Sequence, residues 1–309
     1  MSPSILAARS QLECSTADVS PMLAKRAGKD ALLATLSLAA YLDWPPTVKR
    51  SDRTYRPLKQ FPSSNERNYG LAYVVYGRFD AATPEVRSKR VFAYRGTEFT
   101  EPSDWFLGNA PLIRMQYRLA EKRLREELRE RHPNEEIIFT GHSLGGGLAV
   151  TMWRYHADSK SRAVSFNGSP LLGCIFAHRS DRPCRRERRG DIAGWHNAFE
   201  SGEPTRIIGN LLPWRWNWLL KHWQYDRDAY YHRYHFADHA FVSDHSMAML
   251  ANNLACRSDE SNADLVPAIE AIQCLRDHNE DHEACRESIR NAARVLHFDE
   301  QFRIRRGAP

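Results

Sequence analysis

The chain has 309 residues, 42% of them hydrophobic and 27% charged, with a formal net charge of +6. That composition suits one large domain with additions, and no apolar run approaches the ~20 residues of a transmembrane helix. The basic excess fits an anionic membrane surface or nucleic acid, and equally a solvated loop, because Arg182, Arg185, Arg186, Arg188 and Arg189 crowd one stretch.

Residues 1–15 read as a disordered N-terminus, without the basic segment and apolar core of a signal peptide. From about Thr16 to Leu42 the pattern is helical: Leu32, Leu33, Leu36, Ala39 and Ala40 recur near helical spacing, and Pro45-Pro46 stops them. Residues 47–68, polar and rich in Ser, Arg and Pro, read as a surface excursion. Leu71–Gly77 and Arg90–Gly96 are β-branched and aromatic and read as strands. A helix is expected from about Leu112 to Arg131, with Ile113, Tyr117, Ala120, Leu124 and Leu128 on one face. A strand then runs to Thr140, a helix to about Ala157, and a further strand over Arg162–Asn167. Strand–helix alternation of this kind implies a mostly parallel sheet covered on both faces.

Gly141-His142-Ser143-Leu144-Gly145 stands at the junction between the strand that ends at Thr140 and the helix that follows it. A serine hydroxyl attacks carbonyls when it stands free on a sharp, strained turn beside a base, and Gly141 and Gly145 remove the side chains that would clash there. The helix that follows aims its first amides at an oxyanion formed above the serine. In α/β-hydrolases the acid and then the histidine come later in the chain, each after a late strand.

Phe92–Thr97, then Asp104-Trp105 with Asn109, then Gly141–Gly146, and finally Val164–Pro170 together resemble the class 3 lipases. The resemblance covers roughly residues 70 to 255 and implies an α/β-hydrolase fold; with the helical patterns at both ends, the chain reads as an α/β-hydrolase domain over 16–256 with N-terminal and C-terminal helical additions, the latter over 257–309. It implies hydrolysis of lipid esters. Ser143 matches the nucleophile, while Thr97 and Leu144 match the oxyanion hole. His245, in Ser243-Asp244-His245-Ser246, matches the base, with His239 as competitor. For the acid, Glu203 in Ser201-Gly202-Glu203-Pro204 stands where the family usually has aspartate, and Glu200 and Asp191 remain open.

Between the proposed acid and base lies an aromatic block holding Trp214, Trp216, Trp218 and Trp223, interleaved with Leu, Arg and Lys. Such a mixture supplies what an interfacial docking element or lid needs, and a buried aromatic cluster would have the same composition. His232, His235 and His239 lack tight ligand spacing, so neither metal nor cofactor is expected. The close pairs Cys174/Cys184 and Cys274/Cys285 permit disulfides in an oxidising compartment, with free thiols as the alternative. The favoured substrate is glycerophospholipid, cleaved as by a phospholipase A, with a membrane and not nucleic acid as partner. A leaderless basic lipase with a cysteine framework also fits an exported effector acting on a membrane, which would require a neutralising immunity protein.

Overall fold

Side chains of the central strands point alternately to two faces, as extended backbone requires. In β3 (Tyr73–Asp80), Tyr73 and Val75 join one buried cluster, and Val74 and Tyr76 join another. In β4 (Thr83–Tyr94), Phe92 and Tyr94 face the first cluster and Val91 and Ala93 the second. β5 (Glu136–His142) divides likewise, with Ile137 and Phe139 against Ile138. A sheet with two apolar faces needs helices on both.

The computed structural model describes residues 21–62, 70–96, 110–156, 160–168, 195–200, 230–234, 247–258, 262 and 264–298. Helix α1 (Pro21–Ala39), with α4 (Met247–Cys256) and α5 (Leu265–Asp277), shares the second cluster. Helices α2 (Ala110–Leu128) and α3 (Leu144–His156) share the first. The remaining elements are β1 (Thr47–Arg50), β2 (Arg53–Phe61), β6 (Ser161–Phe166), β7 (Trp195–Glu200), β8 (Tyr230–Tyr234), α6 (Arg286–Asn291) and β9 (Leu296–His297). The strands form one sheet in the order β8-β7-β6-β5-β4-β3-β2-β1-β9. From β4 to β8 the pairing is parallel, and from β4 through β9 it is antiparallel. This is an α/β-hydrolase-like architecture, as the resemblance implied. Among the described residues, no helix is long and apolar enough to cross a membrane.

One segment differs from the sequence reading. Most of the polar stretch after Pro46 is not an excursion but the antiparallel pair β1 and β2. Its apolar residues are sparse because one face is wet: Val48, Tyr55 and Phe61 are buried, whereas Arg56, Leu58 and Lys59 are exposed. The segment that holds His232 forms β8, which pairs with β7. The tail forms two helices, as expected, and β9 then returns to pair with β1. Cys274 and Cys285 are joined as a disulfide, and Cys256 is also disulfide-bonded; Cys174 and Cys184 lie outside the described residues.

A buried ionic cluster fastens α2 to the sheet. Arg90 of β4, 2% exposed, binds Glu135 through Nε at 3.2 Å and Nη2 at 3.0 Å. Its Nη1 also donates to the Glu127 carbonyl at 2.7 Å and Nη2 to the Glu130 carbonyl at 3.2 Å. Carbonyls at a helix C-terminus have no intrahelical partner, so one guanidinium caps α2 and neutralises the buried carboxylate together.

Candidate active site

Ser143 stands at the C-terminal edge of the parallel strands, between the end of β5 and the start of α3, and is 3% exposed. Its φ of 54° is in the left-handed region, which a serine adopts at a cost of ~1–2 kcal/mol. Backbone contacts impose that conformation. The Ser143 N–H donates to the Phe166 carbonyl of β6 at 3.0 Å, and the Ser143 carbonyl accepts from Gly146 N–H at 3.0 Å and Gly147 N–H at 3.2 Å. The chain thus passes from strand to helix within one residue. A turn of this shape can present a side chain as a nucleophile, and Leu144 opens the helix whose first N–H groups have no intrahelical acceptor.

Tight packing underneath makes the turn possible. A Cβ on Gly145 would lie 2.3 Å from the Tyr94 carbonyl oxygen, so only glycine lets α3 come this close to the end of β4. Gly96 brings the next strand end beside the serine: a Cβ there would lie 3.1 Å from Ser143 Cβ and 2.6 Å from the His142 carbonyl oxygen. Thr97, the expected oxyanion residue, follows Gly96 directly in the chain and lies outside the described residues.

The last turn of α1 and the turn just after it hold this corner from the opposite face. Ser37 Oγ and Thr140 Oγ1 are 3.0 Å apart, and Tyr41 Oη and His142 Nδ1 are 2.9 Å apart. Tyr41 Oη also accepts the Gly96 N–H at 3.1 Å. One phenol therefore ties together the residues that precede Thr97 and Ser143. Sequence reading missed Tyr41; its only signal was a phenol placed after an apolar helix, just before Pro45-Pro46. Nearby, burial foremost, with Tyr73 and Glu127 adding to it, holds the Tyr94 phenol well above its ordinary pKa, so it stays neutral.

Of the expected site residues, the structure describes Ser143 and Leu144 and brings them to one turn. Glu203, His245 and His239 lie outside the described residues, as do Asp191, Trp214, Trp216, Trp218 and Trp223. Glu200 ends β7, which is parallel to β6 and reaches the same edge of the sheet as Ser143. Among the described residues, no three histidine, cysteine or carboxylate side chains gather as a metal site.

The class 3 lipase family model matches residues 80–174. No curated protein matches the chain. Among solved structures, the Lip2 lipase of Yarrowia lipolytica is similar at 11% identity and TM-score 0.39, over 63% of this chain and 78% of that one. The mono- and diacylglycerol lipase of Aspergillus oryzae is similar at 10% identity and TM-score 0.39, over 60% and 74%. The Rhizomucor miehei lipase is similar at 12% identity and TM-score 0.37, over 68% and 76%. Likenesses this weak carry no information about substrate. The family match spans β4, the strained Ser143 turn and α3, and over those residues the chain is similar to the class 3 lipases.

Proposed function

We propose that this chain is a serine hydrolase of the phospholipase A type, releasing fatty acid from glycerophospholipid. The observation that carries the hydrolase reading is Ser143 at φ 54°, held on a glycine-packed turn beside Gly96. Strain of this kind persists where the surroundings enforce it, and a binding module would gain nothing by keeping a serine there.

In the proposed reaction, Ser143 Oγ attacks the acyl carbonyl while His245 takes its proton. Glu203 accepts the other imidazole N–H and stabilises the imidazolium. Backbone N–H groups of Thr97 and Leu144 hold the oxyanion. The glycerol-bearing alkoxide leaves with the proton from His245, and water activated by the same histidine releases the fatty acid. Two structural facts support the assignment of acid and base. Glu203 follows three residues after the end of β7, and His245 precedes α4 by two, so each follows a strand of the parallel sheet.

The phospholipid preference rests on the net charge of +6 and the tryptophan block interleaved with cations. An exported effector held in check by an immunity protein is the biological setting this reading suggests. A fluorophosphonate probe tests the chemistry: adduct formation on Ser143 is expected, and a chain that stays unlabelled is not a serine hydrolase. Mass spectrometry of products from mixed lipids tests the substrate. Lysophospholipid and free fatty acid are expected; release from triacylglycerol alone makes the chain a triacylglycerol lipase instead.

A further inference from the structure

Tyr41 touches both segments that flank the nucleophile, but it stands beyond the last turn of α1, so its position depends on what packs around residues 40–44. Two contacts come from the far end of the chain. The Arg276 guanidinium lies over the Tyr41 ring, 5.2 Å from its centroid. The Glu280 carboxylate accepts the Asp43 N–H, two residues past Tyr41. A third comes from the site itself, where Arg95, next to Gly96, places its guanidinium 5.3 Å from the same ring.

Arg276 and Glu280 both lie inside the loop closed by the Cys274–Cys285 disulfide. That loop is bent sharply: Asn279 and Glu280 have φ of 49° and 61°, two successive non-glycine residues in the left-handed region. Glu280 is nonetheless only 8% exposed. A buried carboxylate in a disfavoured backbone conformation, aimed at one distant N–H, is a contact that the surroundings enforce.

We propose that the 274–285 loop is a positioning element of the hydrolase site, with Arg276 and Glu280 acting through Tyr41 on Gly96 and His142. The inference rests on the hydrolase reading above. Its physical basis is the sensitivity of oxyanion stabilisation to geometry. Donors work only at hydrogen-bond distance from the developing charge, and Tyr41 is bonded to the residue just before one proposed donor and to the residue just before the nucleophile. Arg276 supplies a cation to the ring face, and Glu280 fixes the backbone that carries the ring.

The test compares wild type with Arg276→Ala, Arg276→Lys and Glu280→Gly on a short soluble ester and by the rate of inactivation with a fluorophosphonate. Thermal midpoints are measured in parallel. Glycine at 280 keeps the left-handed backbone and removes only the carboxylate. Arg276→Ala and Glu280→Gly should each lower kcat and the inactivation rate about fivefold with KM unchanged, and Arg276→Lys should restore most of the loss. Full kcat in both variants, with wild type labelled at Ser143, overturns the proposal. So does a loss that only follows the folded fraction, or one that lysine fails to rescue. A wild type that neither labels nor hydrolyses overturns the hydrolase reading, and the positioning role with it.

Discussion

The missing Cβ of Gly145 would sit 2.3 Å from the carbonyl oxygen of Tyr94, closer than any side-chain carbon is tolerated. The first turn of α3 and the end of β4 are therefore in backbone contact directly beneath Ser143. Gly145→Ala must push the two apart. Overpacking of this kind costs about 1–3 kcal/mol, and a displacement near 1 Å at a reacting group costs about 10²-fold in rate. The variant should remain folded by circular dichroism, melt several degrees lower, and hydrolyse a soluble ester about a hundredfold more slowly. Near-normal turnover would mean that the turn is not where the reaction occurs.

The strain at Ser143 makes a separate prediction, in which two equally inactive variants differ in stability. Ser143→Ala and Ser143→Gly both remove the hydroxyl and should release no fatty acid. They differ at φ 54°, where alanine is strained and glycine is not. Ser143→Gly should be the more stable of the two by about 1 kcal/mol, read from urea unfolding midpoints. An alanine variant at least as stable as the glycine variant would show that the turn relaxes without its serine.

How legible these features were depended on whether the cause was local. The Gly141–Gly147 run announces its turn because small residues are the only ones that fit, and the strands and helices around it follow ordinary apolar periodicity. The pair β1 and β2 was hidden because its outward residues are Arg, Lys and Pro, and only its pairing with β3 makes the alternation meaningful. Tyr41 was invisible for another reason. Its partners, His142 and Gly96, are 101 and 55 residues away, and no local pattern encodes a contact of that range. Arg276 and Glu280 lie farther still along the chain. The Cys274/Cys285 pair was legible as a spacing, but its consequence for the opposite end of the chain was not.

Arg90 is buried against Glu135 and also caps the end of α2, so its removal leaves a buried carboxylate and two carbonyls with fewer donors. Breaking such a pair from one side typically costs about 3–5 kcal/mol. Arg87 also pairs with Glu135 and offsets part of that penalty, which favours the lower end of the range. Arg90→Met, which keeps the apolar stem, should therefore lower stability by about 3 kcal/mol in urea titration. A change under about 1 kcal/mol would show that the cluster is merely tolerated and does not hold α2 in place.

Three buried phenols set an alkaline limit on the fold. Burial raises the pKa of Tyr76, Tyr94 and Tyr117 well beyond their ordinary values, with burial the largest cause for each. A group whose folded pKa is raised contributes stability that is complete below its unfolded pKa and is lost as pH rises toward the folded one. With an unfolded phenol near pKa 10, urea midpoints should be unaffected by these groups below about pH 9 and should fall above about pH 10. Tyr76→Phe isolates one share. Its hydroxyl is buried without a hydrogen-bond partner among the described residues, so the variant should be no less stable than wild type at pH 7. It should also lose less stability than wild type between about pH 9 and pH 11. Parallel curves for the two proteins across that range would contradict the assignment.

The tryptophan block offers the sharpest test of the membrane reading, because docking and chemistry separate by substrate form. An interfacial element raises the local concentration of enzyme on a vesicle and does nothing for a dissolved ester. Trp216→Ala combined with Trp218→Ala should weaken binding to anionic phosphatidylglycerol vesicles by tenfold or more, on the basis of the ~1.5–3 kcal/mol that burying each large apolar side chain contributes. Hydrolysis of a short soluble ester should stay within about twofold of wild type, since neither residue is assigned to the reacting centre. Cosedimentation with vesicles and a colorimetric ester assay measure the two quantities. Unchanged vesicle affinity would identify the block as internal packing, and an equal loss in both assays would identify it as part of the acyl site.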